Sequence, residues 1–319
     1  MSARRTAASL IAAFALVIPF AHAQSPQSGT GAVTLAAAHP SFVVSVVGQG
    51  RPIVMIPGLA SSGTTWDATA AHLAPHFQCY KLTLAGFAGV SPIDSPLLTT
   101  ARDQIAAYIR DNHLDHPVIM GHSLGGFVAL DLAARNPQLV GPVIIVDSLP
   151  FFAQAWFQVD TLAAAQPTID KMRAGMEGLS HEQWVAYTQA GTSTNGMATS
   201  PADQKTLIDW GLASDQKTVT NAMLDLVGTD LRPELKSIQT PVLVIGTWIG
   251  LKNYGVTEAE VAQEFHQQYA GVRDLRFVMS DTARHFVMWD DPVWFDHQID
   301  DFLAGSPSSL ARGTEKAQQ

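Results

Sequence analysis

A serine lies at the centre of the pattern Gly121-His122-Ser123-Leu124-Gly125, which directly follows the apolar run 117–120 and directly precedes the helix-like stretch 124–135. A strand that turns sharply into a helix through Gly-x-Ser-x-Gly holds its serine in a strained backbone conformation with the hydroxyl exposed. Glycines are needed on both sides because any side chain there would collide with the neighbouring strand or helix. The pattern therefore predicts that Ser123 is a nucleophile.

The serine needs a base within hydrogen-bond reach, because its hydroxyl is a poor nucleophile at neutral pH. His285 follows the strand-like run 276–279 and precedes the last helical stretch. It is therefore expected on a loop at the carboxyl edge of a sheet, where Ser123 must also emerge. His113 and His116 have an H-x-x-H spacing, but their position before the Ser123 strand indicates a solvated loop rather than a metal pair. We predict His285 as the base.

Four motifs resemble those of α/β-hydrolase fold proteins, in the lid-bearing group of serine esterases and peroxidase-like enzymes, over roughly residues 42–303. They are 56–59 (Ile-Pro-Gly-Leu) with Trp66, 86–92 (Gly-Phe-Ala-Gly-Val-Ser-Pro), 121–126, and His285 before 288–292 (Met-Trp-Asp-Asp-Pro). The resemblance implies an α/β fold with a mostly parallel central sheet flanked by helices, and a helical lid inserted after the sixth strand. Where the family usually has His-Gly after the first central strand, this chain has Pro57-Gly58.

The resemblance also implies an oxyanion hole. Two backbone N–H groups stabilise the negative oxygen of the tetrahedral intermediate, and losing one such donor typically costs about 10²–10³ in rate. In this fold they belong to the residue after the nucleophile and to a residue in the loop after the first central strand. These map to Leu124 and Leu59, with Ala60 as an alternative to Leu59.

The acid that supports the histidine is the largest departure from the family. Its usual place shortly after the penultimate strand has no carboxylate before Glu258. A known alternative in this fold is the end of the strand that follows the nucleophile helix, and Asp147, 24 residues after Ser123, lies there. Glu258 and Glu260, expected on the first turn of a helix, and Asp281, four residues before His285, remain alternatives, as does the absence of an acid.

Apolar and periodic runs predict alternating strands and helices, which is typical of a parallel sheet covered by helices on both faces. The predicted strands are 41–47, 52–56, 78–84, 117–120, 142–146, 241–245 and 272–279, and the predicted helices between them are 66–73, 100–112, 124–136, 257–269 and 293–303. The hydrolase core is expected at 39–147 and 236–303.

Residues 148–235 interrupt the alternation and are called the helical insertion below. They contain no convincing strand but offer helical segments at 153–165, 169–179, 181–190 and 201–213. An insertion of this length is usually a functional lid. Its aromatic and methionine content favours an apolar substrate; the candidate pocket residues are Phe151, Trp156, Trp184 and, outside the insertion, Trp248.

The chain ends and the charge restrict where and on what the protein acts. Arg4 and Arg5 precede an apolar run that ends in Ala21-His22-Ala23, a pattern that predicts a cleaved signal peptide (1–23) and a periplasmic or secreted protein beginning at about Gln24. Residues 24–38 are expected to form a flexible lead and 304–319 a disordered tail. Cleavage would change the net charge of the 319-residue chain from −9 to −11, which argues against nucleic acid and anionic lipid as partners.

These observations predict an exported serine hydrolase that cleaves carboxylic esters or lactones of a small apolar molecule. No membrane span is expected in the mature chain. No cofactor or metal is expected, since H-E-x-x-H, cysteine–histidine and dinucleotide glycine patterns are missing from the sequence. Other chemistries on the same residues remain alternatives: C–C, amide or thioester hydrolysis and cofactor-free peroxidation. A non-catalytic ligand-binding protein on the same scaffold is an alternative of another class.

Overall fold

The computed structural model of the chain describes residues 39–191, 194 and 196–305. Within them, seven strands form one sheet in the order β1-β3-β2-β4-β5-β6-β7. The strands are β1 Phe42–Gly48, β2 Arg51–Ile56, β3 Phe77–Leu84, β4 Val118–His122, β5 Val143–Val146, β6 Val242–Thr247 and β7 Leu275–Ser280. β1 pairs antiparallel with β3 and the other five pairings are parallel. The predicted α/β fold with a mostly parallel sheet is confirmed.

Helices cover the sheet. They are α1 Asp67–Leu73, α2 Leu97–Asp111, α3 Leu124–Arg135, α4 Phe152–Phe157, α5 Leu162–Glu177, α6 His181–Gln189, α7 Pro201–Ala213, α8 Gln216–Val227, α9 Glu258–Gln268, α10 Val287–Asp290 and α11 Pro292–Gly305. Short 3₁₀ turns lie at Gly63–Trp66, Arg232–Ser237 and Ile249–Tyr254. None of the helices in the described residues is long and apolar enough to cross a membrane.

The central strands place the candidate residues. Every residue of β4 and β5 is buried, as expected for parallel strands covered on both faces. Along β4, Ile119 packs into the apolar cluster on one face, whereas Val118 and Met120 pack into the cluster on the other. β4 and β5 are neighbours in parallel register, so Ser123 and Asp147, the residues that follow them, leave the sheet side by side at its carboxyl edge.

The helical insertion differs from its prediction in position. It follows the fifth strand of the described chain rather than a sixth, because residues 39–147 form only five strands. It contains α4 to α8 and no strand among its described residues, so its helical character agrees with the sequence pattern.

The internal boundaries of the insertion also differ. The predicted helix 153–165 is two helices, because Gln158 adopts a left-handed conformation with φ of 54° and ends α4. The next helix starts after Thr161, whose side chain accepts a hydrogen bond from the Ala164 N–H. The sequence patterns missed α8, which packs against α2 and α5.

The structure tests few of the predicted boundaries near the two ends of the chain. α11 continues to Gly305, two residues into the predicted tail. The predicted signal peptide at 1–23, the lead at 24–38 and the rest of the tail lie outside the described residues.

Candidate active site

Ser123 lies between β4 and α3 in a backbone conformation that non-glycine residues rarely adopt, with φ of 51° and ψ of −121°. Its N–H donates to the carbonyl oxygen of Val146 on the neighbouring strand, at 2.9 Å. Its carbonyl oxygen accepts the N–H of Phe127 in the first turn of α3, at 3.1 Å. Bonds to both flanking elements therefore hold the strained turn in place.

The glycines around the serine are required by close backbone contacts. A Cβ on Gly121 would lie 2.2 Å from the carbonyl oxygen of Gly125, and one on Gly125 would lie 2.2 Å from that of Ile56. A Cβ on Gly126 would lie 2.6 Å from the Ser148 Cβ. Since Cβ atoms do not approach other heavy atoms this closely, the start of α3 can pack against the end of β2, against β4 and against Ser148 only with glycines here.

His285 and Asp147 form a hydrogen-bonded pair. The Nδ1 of His285 lies 2.5 Å from Asp147 Oδ2. Because an ionised carboxylate only accepts, Nδ1 carries a proton, and in the neutral imidazole Nε2 is then the acceptor. The two side chains are 24% and 14% exposed, so the pair is shielded from water without being sealed off. A neutral imidazole with Nε2 available is the protonation state that a serine nucleophile needs from its base.

Thr247 at the end of β6 fixes the Asp147 carboxylate. Its N–H donates to Oδ1 at 3.0 Å and its hydroxyl donates to Oδ2 at 2.8 Å. The Asp147 N–H donates to the Ile245 carbonyl at 2.7 Å, and Asp147 itself has a positive φ of 44°. At the end of the penultimate strand, where the family usually has its acid, this chain has Thr247. Thr247 binds the carboxylate of Asp147, which follows the neighbouring strand β5.

The alternative carboxylates have other surroundings. Glu260 closes a capping box at the start of α9: its side chain accepts from both the N–H and the hydroxyl of Thr257. These two bonds lower the pKa of Glu260, the backbone one most. Glu258 and Asp281 are exposed. Among the four candidates, Asp147 is the one that contacts His285.

The predicted oxyanion donors lie on the two segments that flank the serine. Leu124 is the first residue of α3, and Leu59 follows β2 in a turn closed by a bond from the Ser61 N–H to the Gly58 carbonyl at 3.2 Å. A Cβ on Gly58 would lie 3.3 Å from the Ser123 Cβ, so this turn passes directly over Ser123. Ala60, the alternative donor, has a positive φ of 54°. The Leu59 and Leu124 N–H groups have no hydrogen-bond partner within the described part of the chain.

The four candidate pocket residues do not share one environment. Phe151 is fully buried beneath the Arg232 guanidinium, and Trp184 is also buried in the core. Trp156 is 46% exposed and makes an edge contact with Phe152. Trp248 is half-buried directly after Thr247. A pocket role stays a prediction for all four; Trp248 directly follows the residue that binds the Asp147 carboxylate, Thr247.

One surface depression is remote from these residues. It has a volume of about 360 Å³ and is lined by Arg110, Arg135, Asn136, Pro137, Gln138 and Leu139. These residues lie at the carboxyl ends of α2 and α3. The amino end of α3 adjoins Ser123, and a helix of this length is roughly 18 Å long. The depression is therefore not the space in which Ser123 would act. No cluster of metal-ligating side chains occurs in the described residues.

Sequence reasoning missed two residues of this site, Thr247 and His122. Thr247 ends a strand, as many threonines do, and its carboxylate partner is 100 positions away. His122 is fully buried and its Nε2 lies 3.0 Å from the His285 carbonyl oxygen, 163 positions away. The only sequence signal for His122 was its place in the Gly-x-Ser-x-Gly pattern.

Comparison with known proteins identifies a family. The model of the Alpha/beta hydrolase family matches residues 53–297. A putative carbamate hydrolase of Rhizobium rhizogenes is 26% identical over 260 residues, covering 79% of this chain and 92% of its own. The N-formylmaleamate deformylase of Pseudomonas putida is 25% identical over 266 residues, covering 80% and 90%. A pimeloyl-[acyl-carrier protein] methyl ester esterase of Vibrio cholerae is 27% identical over 202 residues, covering 62% and 75%.

Solved structures share the fold at lower identity. A hydrolase from Pseudomonas aeruginosa superposes with a TM-score of 0.70 at 18% identity, over 86% of this chain and 99% of its own. The enol-lactonase from Burkholderia xenovorans superposes with a TM-score of 0.66 at 19% identity, over 84% and 99%.

Proposed function

Since the chain belongs to the alpha/beta hydrolase family, we propose that it is an exported serine hydrolase that cleaves carboxylic esters or lactones through an acyl-enzyme on Ser123. The hydrogen bond between His285 Nδ1 and Asp147 Oδ2 is the observation that carries this proposal. It supports a base that is held in the tautomer that accepts a proton at Nε2. This base follows β7 and Ser123 follows β4, so both lie at the carboxyl edge of the sheet. The proposed substrate is a small apolar molecule, and no nucleic acid is involved.

The proposed reaction has two halves. Ser123 attacks the ester carbonyl while His285 Nε2 takes the hydroxyl proton and then gives it to the leaving alcohol. Asp147 orients the imidazole and stabilises its transient positive charge. The N–H groups of Leu59, or Ala60, and Leu124 donate to the oxyanion. Water activated by His285 then hydrolyses the acyl-enzyme and regenerates Ser123.

Hydrolysis of a C–N bond is the second candidate. The two relatives named above that cover most of this chain are a putative carbamate hydrolase and an N-formylmaleamate deformylase, whereas the methyl ester esterase covers a smaller part. The same nucleophile, base and oxyanion donors serve an amide or carbamate if His285 protonates a leaving nitrogen. The distinction therefore rests on the pocket that receives the leaving group.

The first experiment asks whether Ser123 is activated. The protein is treated with a fluorophosphonate probe, and Ser123→Ala is the matched control because it keeps the fold and removes the nucleophile. We expect labelling of the wild-type chain and none of Ser123→Ala. A folded wild-type chain that does not label would favour the non-catalytic binding protein.

The second experiment separates the two chemistries. Turnover is measured on p-nitrophenyl esters of increasing chain length, on lactones and on a p-nitroanilide. We expect ester or lactone turnover to exceed anilide turnover, with a preference for apolar acyl chains. Turnover of the anilide alone would replace the ester assignment by amide hydrolysis.

A further inference from the structure

His122 is buried directly behind the nucleophile. It is the last residue of β4, it is completely inaccessible to solvent, and its ring packs against those of His285 and Phe286, with centroids 4.5 Å from each. Trp66 closes a further side with an edge contact at 6.4 Å. The ring therefore cannot touch substrate, but it contacts the loop that carries the base.

The hydrogen bond of His122 fixes its tautomer. Nε2 lies 3.0 Å from the main-chain oxygen of His285, and because a carbonyl only accepts, Nε2 carries the proton. Nδ1 is buried, has no partner among the described residues, and faces Gly58, where a Cβ would lie 3.1 Å away. Burial and, secondly, the nearby His285 hold the pKa of His122 well below its ordinary value. His122 is thus a neutral donor and not a second base.

The hydrogen bond from His122 links the segment that carries Ser123 to the segment that carries His285. The distance between these two segments sets the distance between the proposed nucleophile and its base. The nucleophile follows His122 directly in the chain, and the acceptor is the backbone of the proposed base itself. In the segment 281–286, called the base loop below, the two residues that flank His285 bond elsewhere: the Phe286 N–H donates to the Met197 carbonyl at 3.0 Å, and the Arg284 N–H donates to the Asp290 carboxylate at 2.9 Å. The bond from His122 joins the loop to the strand that carries Ser123.

We propose that His122 is a positioning residue for the serine hydrolase reaction, holding the His285 backbone at a fixed distance from Ser123 by donating its Nε2 proton to the His285 carbonyl. This inference rests on the proposed function of Ser123 and His285. It assigns no proton-transfer step to His122. Its consequence is that loss of the donor lowers the rate of acylation without weakening substrate binding.

Variants that keep or remove the donor test the proposal. His122→Gln retains an amide N–H at about the position of Nε2, whereas His122→Phe and His122→Met fill the space without one. His39→Phe is the matched control: His39 is also buried, but it pairs with Asp111 and lies beside β1, three strand positions from β4, roughly 14 Å away. Turnover of p-nitrophenyl butyrate is measured per Ser123 that the fluorophosphonate labels at completion of a prolonged reaction, so neither a smaller folded fraction nor slower labelling counts as a lower kcat.

We expect kcat to fall about 10- to 100-fold in His122→Phe and His122→Met with KM within about twofold, because a misplacement of about 1 Å costs on that order. His122→Gln should stay within about threefold of wild type and His39→Phe within about twofold. Apolar variants with wild-type kcat per labelled serine would overturn the proposal, and so would a His122→Gln that loses as much as His122→Phe. A wild-type chain that does not label would instead overturn the proposed function.

A measurement on the unaltered protein does not depend on variants that fold. In ¹⁵N-histidine NMR spectra, His122 should show the neutral Nε2–H tautomer at pH 6.5, where a histidine of ordinary pKa is half protonated. A proton on Nδ1 instead would overturn the proposed hydrogen bond.

Discussion

Asp147 combines an uncommon backbone conformation with three polar contacts, one to the base and two to Thr247. An ionised carboxylate that accepts several hydrogen bonds has little freedom to rotate. The Oδ2 atom that faces His285 is therefore held in place by the neighbouring strand, not by Asp147 alone. This arrangement favours one orientation of the imidazole.

Replacing Asp147 by Asn should lower kcat by about 10⁴, because the amide disfavours the tautomer that leaves His285 Nε2 free. Glu258→Gln is the control, since this carboxylate is exposed at the start of α9, and its kcat should stay near the wild-type value. Both are measured on p-nitrophenyl butyrate. Near-wild-type turnover in Asp147→Asn, or a large loss in Glu258→Gln, would show that Asp147 is not the acid that supports His285.

The buried His122 should make the folded state sensitive to acid. Its pKa is lowered in the folded protein, mainly by burial, whereas the unfolded chain titrates near 6.5. Below about pH 6.5 the unfolded state binds the proton that the folded state refuses, so stability falls as pH falls, by about 1.4 kcal/mol per pH unit until the folded value is reached. Well above pH 6.5, His122 is neutral in both the folded and the unfolded state, so its titration costs no stability there.

Urea unfolding between pH 5 and 7.5 measures this effect, with His122→Gln as the comparison because glutamine does not titrate. We expect the free energy of unfolding of the variant to decrease less steeply below pH 6.5 than that of wild type. Parallel curves would show that His122 takes up its proton equally in both states.

Candidate site residues could be chosen from the sequence only where a residue has a pattern of its own. Ser123 lies in a recognisable motif and His285 follows the last strand. Asp147 was chosen among four carboxylates by its place after a strand. Thr247 and His122 carry no comparable signal, because what distinguishes them is a partner 100 or 163 positions away.

At the scale of the elements, the strand–elbow–helix unit depends on backbone packing that a single methyl group would disrupt. The clash at Gly125 involves the carbonyls of both Ile56 and Pro57, at 2.2 and 2.4 Å, so no side chain can turn away to relieve it. Helix α3 would have to move away from the end of β2. The two predicted oxyanion donors, Leu124 on α3 and Leu59 in the turn after β2, would then separate.

Gly125→Ala should therefore destabilise the protein by on the order of 3 kcal/mol or more and abolish labelling of Ser123. Gly175→Ala is the matched control: Gly175 is an exposed glycine inside α5, where a Cβ would meet nothing within 4 Å. That change should stabilise the protein by roughly 0.5–1 kcal/mol. Thermal melts followed by circular dichroism measure both, and equal melting temperatures for the two variants would contradict the packing argument.

Element types were easier to predict than element ends. Continuous apolar runs such as Val143–Val146 identify buried parallel strands. The break at Gln158 was missed because a glutamine that adopts a left-handed conformation is not marked as such in the sequence. α8 was missed for a related reason, since its buried face is defined by contacts with α2 and α5.

For the whole molecule, export remains a prediction from the amino terminus. When the full chain is produced in a bacterium with a secretory pathway, the mature protein should begin at about Gln24, as measured by intact mass and amino-terminal sequencing of the periplasmic fraction. Ala23→Phe should leave the precursor uncleaved, because the cleavage pattern needs a small residue there. Recovery of the full-length wild-type chain from the cytoplasm would contradict export.

Hydrogen bonds join the helical insertion to the base loop and to α10, close to His285. Met197 accepts the Phe286 N–H, and Asp290 accepts both the Thr199 and the Arg284 N–H groups. Two of these bonds come from the insertion, Met197 to Phe286 and Thr199 to Asp290, and they lie one and five residues beyond His285 along the chain. The insertion thus acts as a brace for the segment that carries His285, so a substitution that disturbs Met197 or Thr199 is transmitted to residues next to the proposed base.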